Sequence, residues 1–391
     1  MRNFLSILLI CFSMTAFAQE NKDDQTSVER VMNQESKKLV IGGYGQVDYN
    51  QPLVKDQRSN GVLDVHRLVL LFGYHFNEKL QLFTEVELEH VKEVYVEQAF
   101  INYKFNRSFQ VKGGLMLVPM GLVNELHEPT VYYGVERPLL DNKIVPTTWR
   151  EIGLGIHGNI HEVSLKYQVY LMNGFMSYND GATLRGSDGF RKGRQKGAKS
   201  YISSPNLSAK VNFYGIPRLQ LGLATYVGKT QSTLFDGLPN NDATASLQAD
   251  SSVVSIAMLG IDATYRLAGF QLRGQYIWVN NGNVAEYNNF GEKDLGKQMM
   301  GYYVELGYNL FKTTKYKSEL IPFVRYENVN THHEVAEGFD INPGYETQLI
   351  TAGLNWKINS GVVLKADYQF IKTTADTDYN NAFNAGIGFV F

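Results

Sequence analysis

Residues 346–373 read ETQLITAGLNWKINSGVVLKADYQFIKT, and their apolar side chains recur at every second position. In the second half of this stretch, the apolar parity holds Val362, Leu364, Ala366, Tyr368 and Phe370, and the polar parity holds Lys365, Asp367 and Gln369. A period of two belongs to a β-strand with two unlike faces, because helical side chains return to one face about every 3.6 residues. With Asn359 and Ser360 between its halves, the stretch predicts an antiparallel hairpin.

Runs with the same period follow one another from residue 39 onward, and sixteen of them can be counted. They are residues 39–50, 62–76, 79–90, 94–105, 108–119, 149–159, 162–174, 201–214, 218–229, 252–267, 270–280, 298–311, 318–328, 346–358, 362–373 and 380–391. Each run is long enough for the ~9–11 residues with which a tilted strand crosses a bilayer. The chain is therefore predicted to be all-β.

The links between the runs alternate in length. Short turns, such as those at 77–78 and 268–269, are in most cases followed by longer links. The longer links are residues 51–61, 120–148, 175–200, 230–251, 281–297 and 329–345, and the exceptions are 91–93 and 374–379. Short turns on one side and long loops on the other are typical of outer-membrane barrels.

The fold class predicted for residues 39–391 is a 16-stranded antiparallel transmembrane β-barrel. It has short periplasmic turns, mostly long extracellular loops and a long third loop. A soluble β-sandwich is the alternative explanation of alternating strands, but a sandwich usually needs only about seven to nine of them.

The composition excludes two classes of protein. The 391 residues include 37 Lys and Arg, 39 Asp and Glu, and 13% aromatic side chains, with a formal net charge of −2. Nucleic-acid-binding proteins normally carry a basic excess, and disordered chains are poor in aromatic residues. We therefore expect a folded protein that has no nucleic-acid partner.

Residues 1–18 have the order of a secretory signal peptide. Arg2 precedes the apolar run 4–12, and Ala16-Phe17-Ala18 supplies a small-residue cleavage pattern. Cleavage after Ala18 would remove Cys11, the one cysteine of the chain. Residues 19–38 are expected to form a flexible or briefly helical periplasmic tail. Together with the predicted barrel, these features predict that the protein is located in the outer membrane of a Gram-negative-type bacterium.

Charged residues on the strands indicate which face is wet. A Lys or Arg that faces lipid at the bilayer midplane costs roughly 2–4 kcal/mol, so the charged parity is expected to face the lumen. This rule places ten basic and ten acidic strand residues inside, among them Arg67, Arg273, Arg325, Lys365, Glu85 and Glu87. A lumen this polar is expected to hold water, so the sequence predicts a channel. Glu97 falls on the apolar parity, which indicates either a rim position or a bulge that shifts the register.

The longest link, residues 120–148, is the candidate for narrowing this channel. Sixteen strands enclose an aqueous pore unless something fills it. Loops above ~12–15 residues without structure of their own are usually functional. We expect the link to fold into the barrel and set a constriction; the alternative is a loop packed on the outer rim or at a subunit contact.

The last run ends in an aromatic residue. Phe391 shares its parity with Phe383, Ala385, Ile387 and Phe389. A terminal strand of this kind resembles the assembly signal of outer-membrane proteins. The barrel-assembly machinery is therefore expected as a partner, through Phe391.

Two segments resemble the phosphate-selective porin O/P family. The first is ERPLLDN (136–142) followed by PTTWREIGLG (146–155), and the second is the Gly- and Arg-rich link from Leu184 to Gln195. The resemblance implies a sixteen-stranded, usually trimeric outer-membrane porin whose third loop lies inside the pore. It also implies basic residues that guide anions, phosphate in the best-known members. Outer-membrane lipid and lipopolysaccharide would surround such a protein, and small hydrophilic or anionic solutes would pass through it.

Residues in or beside the first motif are the candidates for the constriction. They are Arg137, Lys143 and Arg150, with the acidic residues Glu136 and Asp141. Arginines can offer paired donors to phosphate oxygens. The loop as a whole has two basic and four acidic residues. A general pore for small hydrophilic solutes is therefore predicted first, and an anion- or phosphate-selective pore second.

The link 175–200 is strongly basic and includes Arg185, Arg191 and Arg194. Two functions fit it: it collects anions at the outer mouth, or it binds lipopolysaccharide phosphates. A solvated surface loop is the alternative.

The sequence contains no motif that is typical of catalysis or of a bound cofactor. His127-Glu128 is followed by Pro129 and does not form the helical zinc motif, and His332-His333-Glu334 lies in a link where a chance cluster is expected. We therefore expect no enzymatic activity, no cofactor and no metal. A barrel hydrolase and a structural or adhesive surface protein are the alternatives from other classes.

Overall fold

The computed structural model describes residues 25–34, 36–239 and 241–391. The predicted signal peptide 1–18, its cleavage site and residues 19–24 of the predicted tail lie outside the described residues. The strands of the described chain are β1 (Leu39–Leu53), β2 (Val62–His75), β3 (Leu80–Glu89), β4 (Glu93–Lys104), β5 (Gln110–Leu117), β6 (Arg150–Ile160), β7 (Leu165–Met172), β8 (Met176–Tyr178), β9 (Asn206–Ile216), β10 (Leu219–Lys229), β11 (Gln231–Ser232), β12 (Ser255–Leu267), β13 (Phe270–Gly282), β14 (Gln298–Tyr308), β15 (Glu319–Glu334), β16 (Glu346–Asn359), β17 (Val362–Thr373) and β18 (Asn380–Val390).

Sixteen of these strands close into one antiparallel barrel, which confirms the predicted fold class. Strands that follow one another around the barrel also follow one another in the chain, and β18 closes on β1 from Tyr44↔Val390 to Leu53↔Asn381. The barrel skips β8 and β11, which pair in parallel as a separate two-stranded sheet. That small sheet joins the extracellular links 175–200 and 230–251. Closure leaves no unpaired sheet edge, which a membrane-embedded sheet requires.

Burial in the barrel is inverted relative to a soluble protein. Outward-facing apolar residues are exposed, such as Leu154 at 62% and Ile261 at 50%. Inward-facing charged residues are buried, such as Arg67 at 1% and Glu85 at 0%. A surface of this kind is stable only when lipid covers the outer apolar band. The period-two pattern therefore assigned the two faces correctly.

The register of one strand pair explains the position of Glu97. The pairing of β3 with β4 shifts between Glu85↔Gln98 and Val86↔Val96, so Glu97 is the extra residue of a β-bulge. Its side chain is fully buried in the barrel interior. The bulge, rather than the rim, is thus the correct one of the two explanations.

Several strands begin later than predicted, and the largest shift is in the run 201–214. The run 201–214 becomes a strand only at Asn206. Pro205 has no N–H for a ladder, and Ser203 instead donates its backbone N–H to the side-chain oxygen of Gln231 over 2.6 Å. The segment before Asn206 is therefore held by the extracellular link and not by the barrel.

The helices of the described chain are short. They are α1 (Ser27–Met32), α2 (Leu140–Lys143), α3 (Ala243–Ser251) and α4 (Val284–Gly291). None of the helices among the described residues is long and apolar enough to cross a membrane. The first, α1, lies in the predicted tail, and α2 lies in the long loop 120–148.

Candidate functional site in the barrel lumen

The loop 120–148 lies inside the barrel and is bonded to side chains of the lumen wall. Asp367 accepts a hydrogen bond from the backbone N–H of Val135 over 2.6 Å, and Lys365 donates to the carbonyl of Gly134 over 2.8 Å. Irregular backbone that is buried must find such partners, since an unpaired buried N–H or C=O is costly. Polar wall side chains therefore serve as the partners of the loop.

The same kind of contact is found on other sides of the barrel. Lys210 on β9 donates to the carbonyl of Gly121 over 2.6 Å, and Gln275 on β13 accepts from the N–H of Leu122 over 2.7 Å. Arg67 on β2 donates to the carbonyl of His127 over 2.6 Å. Contacts from β2, β9, β13 and β17 together hold the loop across the lumen.

All six lumen-facing residues singled out from the sequence are buried in the interior: Arg67, Arg273, Arg325, Lys365, Glu85 and Glu87. Two of the arginines share carboxylates on the strands β14 and β15. Arg273 pairs with Glu305 over 2.5 Å, and Arg325 pairs with Glu305 over 3.3 Å and with Glu327 over 2.7 Å. This part of the wall, the β14–β15 wall, therefore neutralises its own cations.

A buried histidine connects the loop to the acidic side of the lumen. The Nε2 atom of His127 lies 2.7 Å from the hydroxyl of Tyr44, 3.3 Å from Glu97 and 3.6 Å from Glu85, and Nδ1 lies 3.1 Å from the carbonyl of Asn124. Burial lowers the pKa of His127, but hydrogen bonds to Glu85 and Glu97 outweigh burial and raise the pKa to about 9. At neutral pH the imidazole is therefore a cation between two carboxylates.

The same three residues could in principle hold a metal ion. The potential ligand atoms of Glu85, Glu97 and His127 all lie within 4.8 Å of one another. With its pKa raised to about 9, the imidazole of His127 itself supplies a positive charge to these two carboxylates at neutral pH. The group is explained as an ionic tether of the loop.

A polar pocket of about 250 Å³ lies on the extracellular side of the loop. It is lined by residues of β1 to β4, the turn between β3 and β4, the loop 120–148, the start of β6 and the link 175–200: Gln46, His66, Glu87, Glu89, His90, Glu93, Tyr95, Tyr132, Glu136, Arg137, Asp141, Asn142, Thr147, Thr148, Arg150, Arg191, Arg194 and Lys196. We call this space the outer pocket. Five of its lining residues are Arg or Lys and five are Asp or Glu.

A stack of aromatic rings brings the basic link over this pocket. The ring centroids of Trp149 and Phe175 lie 4.5 Å apart, and those of Phe175 and Phe190 lie 5.1 Å apart. All three rings are almost fully buried. Because Phe190 directly precedes Arg191, the stack positions the basic segment that follows it.

The basic residues of the outer pocket lie close enough to repel one another. Burial, then Arg191 and Arg150, lowers the pKa of Arg194 to about 9. The pKa of Arg191 is lowered by burial and then by Arg137. The pKa of Lys196 is lowered by burial and then by Arg194. The five basic residues of the outer pocket form a basic cluster. Arg150 pairs with Glu97 over 3.4 Å, and the other four have no carboxylate within ion-pair distance among the described residues.

Seven of the residues predicted from sequence line the outer pocket: Glu87, Glu136, Arg137, Asp141, Arg150, Arg191 and Arg194. The constriction candidates and the basic link, which were predicted as separate sites, thus meet in one place. Burial raises the pKa of Asp141 to about 7, against the lowering effect of its hydrogen bond to Gln275.

Two predicted residues point elsewhere. Lys143, the last residue of α2, is not among the residues that line the outer pocket. Its ammonium donates instead to the carbonyl of Ser187 in the link 175–200. Arg185 pairs with Asp188 over 2.5 Å and is also outside the lining. That Lys143 lines the constriction stays a prediction.

Several pocket residues were missed from the sequence. His66 and His90 both line the pocket, with ring centroids 5.7 Å apart. Lys196 lies 4.7 Å above the ring of Tyr95. Lys196 itself belongs to the basic run for which the link 175–200 was singled out from the sequence. The strand parity gave no indication that His66 and His90 would meet.

Comparisons with known proteins agree with this architecture. The chain matches the family described as phosphate-selective porin O and P over residues 40–386. A protein of Aquifex aeolicus (strain VF5) described as uncharacterized is 31% identical over 376 residues, which cover 92% of this chain and 81% of that protein.

Solved structures share the fold at low identity. OmpF of Salmonella typhi in complex with daunomycin has a TM-score of 0.59 at 11% identity, with 90% of this chain and 97% of that chain covered. The anion-selective porin from Comamonas acidovorans has a TM-score of 0.55 at 12% identity, with 90% and 99% covered.

The family match spans nearly the whole barrel and confirms the resemblance that the two sequence segments indicated. The closed 16-strand barrel, its apolar outer face and its polar lumen agree with that match. The chain belongs to the phosphate-selective porin O and P family and is an outer-membrane channel.

Proposed function

We propose that this porin is a passive, water-filled channel through which small hydrophilic solutes diffuse. The observation that carries the proposal is the loop 120–148 bonded across a polar lumen, with the outer pocket above it. In such an arrangement the space left by the loop selects solutes by size. Lumen charges then act on the solutes through the local field.

A second function, a preference for anions, is supported by the basic cluster of the outer pocket. Arg137, Arg150, Arg191, Arg194 and Lys196 line one space, and three of them have pKa values lowered by burial and by one another. An anion that enters would relieve this repulsion and accept hydrogen bonds from several guanidinium groups. The Comamonas acidovorans porin of similar fold is described as anion-selective. Phosphate is a candidate solute through the family.

The acidic half of the outer pocket opposes a strong selectivity. Glu87, Glu89 and Glu93 line the same space from β3 and β4. Anions that pass close to these carboxylates are repelled. We therefore propose a moderate anion preference within a general pore, and not an exclusive phosphate channel.

The surroundings of the channel form part of the proposal. We expect a homotrimer in a Gram-negative-type outer membrane, as implied by the family, with lipopolysaccharide phosphates within reach of the link 175–200. The signal peptide 1–18 would direct export. Assembly through the C-terminal strand is supported by Phe391, whose backbone exchanges hydrogen bonds of 2.9 and 3.1 Å with Gly43 while its side chain is 66% exposed.

We propose that the chain is a channel and not an enzyme. Its lumen histidines are engaged in structural contacts: His127 with Tyr44 and two glutamates, and His157 with Asn102 over 2.8 Å. These contacts position the loop and the wall. A hydrolase would need a nucleophile within hydrogen-bond reach of such a base.

Single-channel recording of the refolded protein in a planar bilayer tests the proposal. Ohmic steps in KCl, with a reversal potential that favours chloride and a current that falls as phosphate is added, are expected. Ohmic steps without selectivity or phosphate block would leave the general channel and remove the anion preference. A protein that inserts but gives no steps would contradict both.

A further inference from the structure

The helix α1 lies in the segment 19–38, which the sequence predicted to be a flexible or briefly helical periplasmic tail. Its sequence specifies a helix start, because the hydroxyl of Thr26 accepts from the N–H of Glu29 over 3.2 Å and Glu29 accepts from the N–H of Thr26 over 2.9 Å. Such a capping box stabilises a first turn. A helix of six residues is nevertheless too short to persist without packing.

The packing is provided by an apolar patch on the inner wall. Most inward-facing residues are polar, but Val40, Leu71 and Phe83 are apolar, and they are almost fully buried. They belong to one cluster with Val31 and Met32 of α1. At Gly73 of β2 the wall is indented, since a Cβ there would lie 2.3 Å from the Cγ1 atom of Val31. The helix therefore fits a complementary site inside the periplasmic mouth.

Polar contacts hold α1 to the wall. Glu29 pairs with Lys166 of β7 over 2.5 Å, and the carbonyl of Met32 accepts from Gln81 of β3 over 3.2 Å. These two anchors lie on β3 and β7, so α1 is held between two parts of the barrel wall.

A third contact joins α1 to the loop 120–148. Arg30 forms an ion pair with Glu128, whose side chain is fully buried. Loop residue Glu128 directly follows His127, the residue that tethers the loop to Glu85 and Glu97. The helix and the tether therefore hold neighbouring residues of the same loop.

From these contacts we infer that α1 is a built-in second narrowing element of the pore, and that Glu29 and Arg30 are positioning residues that hold the helix and the loop together. The inference rests on the channel function and extends it to the periplasmic mouth. The opening beside the helix is a pocket of about 300 Å³ that Arg30 helps to line, together with Arg266, Arg273, Lys317, Lys357 and Glu319. Solutes that pass the outer pocket would leave by this basic opening.

A disulfide between α1 and the wall tests the docking independently of conductance. The Cβ position at Gly73 lies 3.8 Å from the Cβ atom of Val31, which matches the mean separation in disulfides. The double variant Val31→Cys/Gly73→Cys is therefore expected to oxidise without backbone movement. Its control, Val31→Cys/Ala268→Cys, places the second thiol on a turn between β12 and β13 across the barrel. An unoxidised Val31→Cys/Gly73→Cys protein would overturn the docking.

Conductance tests the narrowing. Deletion of residues 26–34 is expected to raise the single-channel conductance on the order of twofold and to increase current noise, because open cross-section grows and the loop loses a contact. Glu29→Gln/Arg30→Gln is expected to increase the noise with a smaller rise. The control Glu78→Gln/Lys79→Gln changes exposed residues of a periplasmic turn and is expected to behave as wild type.

Exchanging the charges of Glu29 and Lys166 distinguishes loss of this ion pair from a folding defect. Glu29→Lys alone should increase the noise, and Glu29→Lys/Lys166→Glu should restore wild-type currents. Unchanged conductance and noise in the deletion variant would overturn the inference even if the disulfide forms. Wild-type protein that gives no channels at all would instead contradict the proposed function.

Discussion

At the β14–β15 wall, Glu305 is shared by Arg273 and Arg325, and Glu327 pairs with Arg325 again. In the outer pocket, Arg194 donates to the carbonyl of Pro146 over 3.1 Å. The charged groups that act most strongly on Arg194 are two other arginines, Arg191 and Arg150. Both regions collect guanidinium groups inside one barrel. A carbonyl dipole satisfies a hydrogen bond but carries no net charge to cancel the cation. The difference teaches that pairing, and not the number of arginines, decides which part of the lumen attracts an anion.

The largest effect on stability is expected at the β14–β15 wall, where each buried arginine is paired with a carboxylate. Glu305→Gln leaves Arg273 and Arg325 buried with reduced compensation, and breaking a buried pair in this way costs about 3–5 kcal/mol. The free energy of unfolding in detergent, measured by denaturant titration, should fall by that amount. The matched control Glu319→Gln removes a pair with Lys357 at 3.9 Å, whose carboxylate is 46% exposed. Its cost should be about 0–1 kcal/mol. Equal losses in the two variants would contradict the account of the wall.

The free energy of unfolding is expected to depend on pH through His127, because the two carboxylates beside it are neutralised only while the imidazole is protonated. The pKa of His127 is raised from 6.5 to about 9, so its ionic tether is complete below pH 6.5 and is lost as the pH rises through about 9. The shift corresponds to stabilisation of about 3 kcal/mol. The free energy of unfolding, measured by denaturant titration, should therefore be larger at pH 6 than at pH 10. This difference should be smaller in His127→Gln. The control His333→Gln, at an exposed position near the extracellular end of β15, should keep it. The same pH dependence in His127→Gln would argue against the tether.

A smaller effect is expected on selectivity near neutral pH. Burial raises the pKa of Asp141 to about 7, and Asp141 lines the outer pocket. As the pH rises through 7 this carboxyl gains a negative charge, so the preference for chloride should decrease between pH 6 and pH 8. The reversal potential in a KCl gradient measures this, and Asp141→Asn should remove most of the change. If Asp141→Asn titrates as wild type does, another group is responsible.

The smallest effect on selectivity and stability is expected for Arg185, which lies outside the outer pocket. Arg185 pairs with Asp188, and its side chain is 47% exposed. An exposed pair of this kind contributes about 0–1 kcal/mol. Arg185→Gln should therefore leave the reversal potential and the free energy of unfolding close to wild type. A clear loss of anion preference in this variant would extend the basic cluster beyond the outer pocket.

The barrel itself could be predicted from sequence, because each strand records its two environments in alternate residues. The parity of 362–373 assigned Lys365 and Asp367 to the interior, where both bond the backbone of the loop. Even the exception at Glu97 was informative, since a charged residue on the apolar parity marks a bulge. Such signals are local, and a local pattern is sufficient for a strand.

The partners of each charge could not be predicted in the same way. Arg325 and Glu305 lie on neighbouring strands, but Val135 and Asp367 are separated by most of the chain. Whether an arginine meets a carboxylate or a carbonyl depends on how an irregular loop folds, and irregular backbone has no period to read. The docking of α1 was missed for a related reason: its partner is Gly73, which in sequence is an ordinary small residue in a strand.

The central claim is that the incompletely neutralised basic cluster of the outer pocket biases an otherwise general channel towards anions. The most direct measurement is the reversal potential of Arg191→Gln/Arg194→Gln beside wild type in a KCl gradient. The account predicts a chloride-favouring potential in wild type that moves towards zero in the variant, with ohmic steps retained in both. Identical reversal potentials in the two proteins would contradict it.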